Sequence, residues 1–242
     1  MAFTVAVVGA SGRLGSVITR VVAAMPDAEL IAALSSADAW SAAFEADVVV
    51  DVTHPSVSPD IVGTAIEHGR RVLVGTSGWA EERLAVLRRQ VASNPGSGAV
   101  VIPNFSLGSA LATGFATIAA RYFDSAEIIE AHHASKVDSP SGTAVRTAEL
   151  MAAQRGPFSV PHADQRARGQ QVGGIPIHSL RLDGVVAKQQ VVFGGTGETL
   201  TITHDTTSNA AYEAGIRAAL LRTVETADEV VVGLDAVLGL SF

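Results

Sequence analysis

The chain has 242 residues, enough for one large domain or two small ones, and 48% hydrophobic against 17% charged residues excludes a disordered polymer. Asp and Glu number 24 against 17 Lys and Arg, a formal charge of −7 with no basic run, so nucleic acid is not an expected partner. Cysteine is absent, which excludes disulfides, thiolate metal sites and attack through a cysteine sulfur.

Met1 to Ala10 is apolar but has no positive n-region, and no stretch reaches the roughly 18–20 uninterrupted apolar residues that span a bilayer. The expectation is a cytoplasmic protein without a membrane partner. Thr4–Val8 is a β-branched apolar run with no polar alternation, the pattern of a parallel strand covered on both faces. Similar runs follow at Leu30–Leu34, Val48–Val52, Val72–Val74 and Val100–Ile102, with helix-compatible segments between several of them. This alternation predicts an α/β fold, a Rossmann-like doubly wound parallel sheet.

After Pro103 the texture changes. Leu107–Tyr122 reads as a long helix, Glu127–Ala131 as a strand and Gly142–Gln154 as a helix, while Arg155–Gly174 is rich in Gly, Pro, Gln and Arg and reads as an exposed loop. Three strand candidates then follow, Ile175–Leu182, Val185–Phe193 and Glu198–His204, separated by Asp-Gly and Gly-Gly turn signals. They predict a smaller α+β domain with a mixed, partly antiparallel sheet. Ala210–Val224 is helical, and the apolar tail Val230–Leu240 is expected to return to the first domain. The domains expected are 1–106 with 209–242 for a dinucleotide, and 107–208 for substrate and oligomer contacts.

Directly after the first strand, Gly9-Ala-Ser11-Gly12-Arg13-Leu14-Gly15 leads into a segment at helical spacing. Gly9 permits a tight turn, Gly12 lets a pyrophosphate approach the backbone, and Gly15 allows helix and strand to pack closely. The helix start then offers free N–H groups and a partial positive charge. An NAD-preferring site usually carries an acidic residue at the end of the second strand; here Ser35 and Ser36 stand there, and Asp38 lies further along. With Arg13 in reach of a 2′-phosphate, the pattern leans slightly to NADPH, with NADH also open.

Glu130-Ala-His132-His133-Ala-Ser-Lys136-Val-Asp138-Ser-Pro140-Ser141-Gly142-Thr143-Ala144 is the most informative run. A helix beginning Ser-Gly-Thr presents unpartnered N–H groups to an anion, and Lys136 adds a full charge. His132 or His133 supplies a group that exchanges a proton near neutrality. Each residue alone has a plainer reading, Ser141 as a cap and the histidines as loop residues, but the cluster predicts a site for a small carboxylate or phosphate. No metal is expected, since the histidines have no acid or thiolate at ligand spacing.

The glycine loop, Asp51-Val-Thr-His-Pro55, Gly75-Thr-Ser-Gly78, Pro103-Asn-Phe-Ser106 and above all Glu130–Ala144 resemble the 4-hydroxy-tetrahydrodipicolinate reductase (dihydrodipicolinate reductase) family over nearly the whole chain. The resemblance implies reduction of a cyclic, unsaturated dicarboxylate imine by NADH or NADPH in diaminopimelate and lysine biosynthesis, and a homotetramer. It makes His132 and Lys136 catalytic, and assigns the substrate carboxylates to His133, Lys136, Ser141, Gly142 and Thr143. On the cofactor side it implies Gly9, Ser11, Gly12, Arg13, Leu14, Gly15, Ser35, Gly75, Thr76, Ser77, Pro103, Asn104 and Phe105. Ser35, where many relatives carry a charge, and Val52, where many carry Phe, depart from the family pattern and bear on cofactor preference. The alternatives are a non-catalytic NAD(P) sensor, or another small-acid oxidoreductase on this fold; one acting through a thioester would need a cysteine.

Overall fold

Valine-rich runs without polar alternation become the strands of a parallel sheet. The computed structural model describes residues 2–240 apart from 157, 159–161 and 163. In chain order the first elements are β1 (Phe3–Val8), α1 (Arg13–Ala23), β2 (Ala28–Leu34), a 3-10 turn at Trp40–Glu45, β3 (Val48–Asp51), α2 (Ser58–Glu67), β4 (Arg71–Val74), α3 (Glu81–Ser93) and β5 (Gly98–Val101). β3 and β5 are buried at every position, whereas β2 alternates because it lies at the sheet edge. In α1, Val17, Ile18, Val21 and Val22 recur at helical spacing and are buried.

The middle of the chain forms α4 (Leu107–Ala119), β6 (Ser125–His132), α5 (Gly142–Arg155), a 3-10 turn at Arg166–Arg168, β7 (Gln170–Val172), β8 (Ile175–Arg181), β9 (Ala187–Gly195) and β10 (Glu198–Thr206). The chain then closes with a 3-10 turn at Asn209–Tyr212, α6 (Glu213–Glu225), β11 (Val230–Val232) and α7 (Leu234–Val237). Two units result: Met1–Leu107 with Asn209–Ser241, and Gly108–Ser208.

In the first unit the sheet order is β11-β5-β4-β3-β1-β2, parallel throughout. The chain runs from β1 outward to β2, then returns to the other side at β3, so the connections reverse beside β1. Ligands of open α/β sheets bind beyond the carboxyl ends of the strands at such a reversal. Val230–Val232 supplies the sixth strand, in parallel register with β5 from Val230 opposite Ala99 to Val232 opposite Val101.

The second unit has a mixed sheet in the order β10-β9-β6-β8-β7. β6 runs parallel to β8 and antiparallel to β9. Three strands in a row with an Asp-Gly turn predict that β8 and β9 are neighbours; instead β6 lies between them, because it hydrogen-bonds on both edges. β7 also falls inside the stretch 155–174 read as loop: three residues are too few to show alternation, and Gly173-Gly174 turns them back antiparallel onto β8. Part of that loop lies outside the described residues. Ala116 and Ala120 from α4 and its end, Ala144, Ala148 and Met151 from α5, and Ala126, Ile128, Ile177, Val191 and Phe193 from the sheet form the core. Among the described residues no helix is long and apolar enough to cross a membrane.

Candidate active site

The glycine loop closes β1 onto α1 in a conformation that only glycines permit. Gly9 has φ +91°, and a Cβ there would stand 2.4 Å from the Val52 carbonyl oxygen. At Gly15 a Cβ would approach the Gly9 carbonyl to 2.1 Å, so the helix can sit this close to the strand only without one. Gly12 is the N-cap of α1, with no side-chain cap bonded to the first turn and no acidic residue within it. The first-turn N–H groups are thereby kept for an external anion. This cradle fits the pyrophosphate of a dinucleotide.

Other strand ends converge on the loop. The Leu34 carbonyl at the end of β2 accepts from the N–H groups of Gly9 and Ala10, both at 2.9 Å. A Cβ on Gly75 would meet Phe105, Val52 and Leu14 at 2.9–3.3 Å, so the segments carrying Gly9, Leu14, Gly75 and Phe105 are brought together. Beneath them, Asp51 is fully buried and accepts from the Ser58 hydroxyl and from the Thr53 hydroxyl at 2.5 Å. Thr76 is buried as well: its hydroxyl accepts from the Thr53 N–H at 2.8 Å, so its side chain fixes the loop. The Asn104 side chain accepts from the Ser106 N–H at 2.9 Å, and Ser11, Ser77 and Pro103 are exposed at these strand ends.

The sequence pattern leaves the end of β2 without a carboxylate, and the structure corrects this. Asp38 folds back so that its Oδ2 accepts from the hydroxyl and the N–H of Ser35, both at 2.7 Å. These two bonds, the hydroxyl's first, hold the Asp38 carboxyl below its ordinary range. Arg13 is exposed, and its charge acts on Tyr212, whose phenol is raised by burial and lowered in part by that cation.

The mid-chain cluster stands where the core face of the second sheet ends. Alternation along β6 puts Ala126, Ile128, Glu130 and His132 on one face; the first two lie in the core, and the last two carry the chemistry. Glu130 is 0% exposed. Its Oε2 accepts from His132 Nδ1 at 2.6 Å, and Arg181 grips both oxygens at 3.0 Å. Burial pushes the Glu130 carboxyl up, but bonds from Arg181, Ser179 and His132 outweigh it and hold the group below the usual carboxylate range. Since Glu130 is ionised, His132 Nδ1 carries the hydrogen and Nε2 is the lone-pair nitrogen. Burial lowers the His132 pKa from its ordinary 6.5; Glu130 works against this, while Lys136 and Arg181 add to it.

Lys136 donates to both oxygens of Asp138, at 2.7 and 2.9 Å. The Asp138 side chain is 60% exposed, so the pair is a weak surface contact that an incoming anion can displace. His133 pairs through Nδ1 with Ser135 at 2.8 Å. Ser141 is buried and caps α5 by accepting from the Ala144 N–H at 3.3 Å, so its side chain serves the helix. Gly142 is exposed with no atom within 4 Å of a Cβ position, and the first turn of α5 holds no acidic residue. The helix start is open to an anion at Gly142.

His132, Lys136, Ser141, Gly142 and Thr143 are thus joined to one strand end and the helix start that follows it. Arg181 lies outside the motif run, 51 positions from Glu130, and has no local signal. Glu130, inside the run, was legible only as the residue two before His132 and so on its strand face.

A dinucleotide cradle at a chain reversal, with an imidazole and an ammonium beside a second anion site, defines a nicotinamide-dependent oxidoreductase of Rossmann-like fold. Family models described as dihydrodipicolinate reductase, N-terminus and C-terminus, match residues 3–105 and 108–238. The chain belongs to the dihydrodipicolinate reductase family. It is 59% identical to the 4-hydroxy-tetrahydrodipicolinate reductase of Clavibacter michiganensis subsp. michiganensis, over 99% of this chain and 87% of that relative. Identity to the same enzyme of Streptomyces coelicolor is 44%, covering 92% of each. A dipicolinate-bound dihydrodipicolinate reductase from Paenisporosarcina sp. TG-14 superposes with a TM-score of 0.82 at 30% identity, covering 97% of this chain and 99% of that one.

Proposed function

We propose that the chain reduces 4-hydroxy-tetrahydrodipicolinate to tetrahydrodipicolinate with NADH or NADPH, in diaminopimelate and lysine biosynthesis. The observation that carries this reading is the Glu130-bound His132 beside Lys136 and the open start of α5, in a chain of this family. Bound NADH or NADPH supplies a hydride to the substrate ring. Gly142, Thr143, Lys136 and His133 hold the substrate carboxylates, with Ser141 capping the helix that presents the N–H groups. His132 and Lys136 act as proton donor and charge stabiliser, through the imidazole itself or a water it orients.

At neutral pH the free imidazole is neutral, because its pKa lies below 6.5. A dicarboxylate beside it favours the cation, so the proton to be delivered is taken up as substrate binds. On the cofactor side, Gly9, Ser11, Gly12, Arg13, Leu14 and Gly15 hold the pyrophosphate, and Gly75, Thr76, Ser77, Pro103, Asn104 and Phe105 border the nicotinamide half. Asp38, drawn onto Ser35, favours a ribose 2′-hydroxyl over a 2′-phosphate, with Arg13 opposing it. The division of labour we propose is 1–106 with 209–242 for the dinucleotide and 107–208 for substrate, in a cytoplasmic homotetramer.

The test is direct. Purified protein with NADH or NADPH should lose reduced-nicotinamide absorbance only when freshly generated substrate is added, and no loss with either cofactor overturns the assignment.

A further inference from the structure

A carboxylate with no exposure to solvent is costly unless its charge is met on every side, and Glu130 is met by groups that each belong to a different part of the site. His132 donates to Oε2, the Arg181 fork takes both oxygens, and the Ser141 N–H at the start of α5 approaches Oε1 at 3.3 Å. Arg181 then reaches onward, with Nη2 donating to the Asp138 carbonyl at 2.6 Å and Nε to the Lys136 carbonyl at 3.3 Å. The imidazole, the loop that carries the ammonium and the helix start are therefore tied to a single ion pair. The sheet sets it: in the parallel register of β6 on β8, His132 lies opposite Arg181 and Glu130 opposite Ser179, so all four side chains share one face.

We propose that Glu130 and Arg181 are positioning residues for the reaction: the carboxylate fixes His132 as the Nδ1–H tautomer, leaving Nε2 to exchange the proton, while the guanidinium holds the Lys136 loop. The proposal rests on the reading that His132 is catalytic. The charged groups acting on His132 are Glu130 on its own strand, Arg181 from β8 and Lys136 from the following loop. Its β9 neighbour is Ala187, and the first turn of α5 is without acidic residues. Glu130 alone among these favours the imidazolium, so its removal lowers the imidazole pKa further. A Gln in its place can also present its amide N–H₂ to Nδ1 and reverse the tautomer.

The experiment measures pH profiles of kcat and kcat/KM, together with NADH affinity by calorimetry, for the full-length protein and its Glu130→Gln, Arg181→Lys and His132→Ala variants. In Glu130→Gln, kcat should fall about 10²-fold, the imidazole limb of kcat/KM should move to lower pH, and NADH affinity should stay unchanged. Arg181→Lys keeps the charge but loses the fork, so it should raise the substrate KM more than it lowers kcat and leave the limb in place. A folded Glu130→Gln protein with wild-type kcat and an unmoved limb, while His132→Ala is inactive, overturns the proposal. A fully active His132→Ala protein overturns instead the underlying catalytic reading. Should Glu130→Gln fail to fold, the double variant Glu130→Gln/Arg181→Gln leaves no unpaired buried charge, and its kcat should still fall about 10²-fold with NADH affinity unchanged; a wild-type kcat there overturns the proposal.

Discussion

The two units each bury a carboxylate at the carboxyl end of a strand, and they satisfy it in opposite ways. Asp51, the last residue of β3, is met by the neutral hydroxyls of Thr53 and Ser58, and Ser58 in turn accepts from Trp79 Nε1 at 3.0 Å. Glu130, near the end of β6, is met by a guanidinium and an imidazole. The first arrangement braces loops and has no group that titrates near neutrality among its donors; the second sets the charge of a group that does. The surrounding sites follow suit. The cradle proposed for the cofactor is made of backbone and of missing Cβ atoms, while the cluster proposed for the substrate is made of side-chain charge. Deleting side chains should therefore damage the second unit's site, and adding them should damage the first.

The largest effect expected is from His132→Ala or Lys136→Ala, which should lower kcat by about 10²-fold or more while NADH affinity measured by calorimetry stays near wild type. An unchanged kcat in either variant removes that residue from the reaction. Gly15→Ala adds the Cβ that meets the Gly9 carbonyl at 2.1 Å, and should weaken NADH binding by about tenfold or more with a lower Tm. Wild-type NADH affinity in that variant would break the contrast between the sites.

The contrast is sharpened by protons. Dipicolinate binding at pH 7, followed by calorimetry in buffers of different ionisation enthalpy, should show proton uptake, because burial holds the His132 pKa below its ordinary 6.5, so the imidazole is neutral at pH 7 until the anion raises that pKa. NADH binding alone should show little, and proton-neutral binding of dipicolinate counts against the role given to His132. The smallest effect is on cofactor choice: Asp38→Ala should raise NADPH affinity relative to NADH by about three- to tenfold, since it removes one exposed charge. An unaltered ratio would mean that the carboxylate at Ser35 does not meet the ribose.

Much of the first sheet was legible because parallel strands covered on both faces need no partner to declare themselves: Val48–Val50 and Val72–Val74 are apolar runs wherever they end up. The second sheet was less so. Its strands were found, but β6 between β8 and β9 was not, since an Asp-Gly turn reports a reversal of the chain and not which edge the returning strand joins. Asp38 shows the same limit at short range. Three residues from Ser35, it looks remote until the loop folds it onto the hydroxyl and N–H that stabilise its charge.

The glycine spacing of 9–15 determined the tight strand-to-helix turn by itself, because the absence of a Cβ is a property of the residue and acts through atoms a few positions away. The run 130–144 likewise determined that an imidazole, an ammonium and a helix start come together, since a strand end and the helix after it keep them near. Only the tertiary structure decided what meets the Glu130 charge beside His132 and what holds the Lys136 loop. Those depend on Arg181, which reaches the carboxylate through the register of two strands, and hydrogen bonding between strands leaves no trace in local sequence.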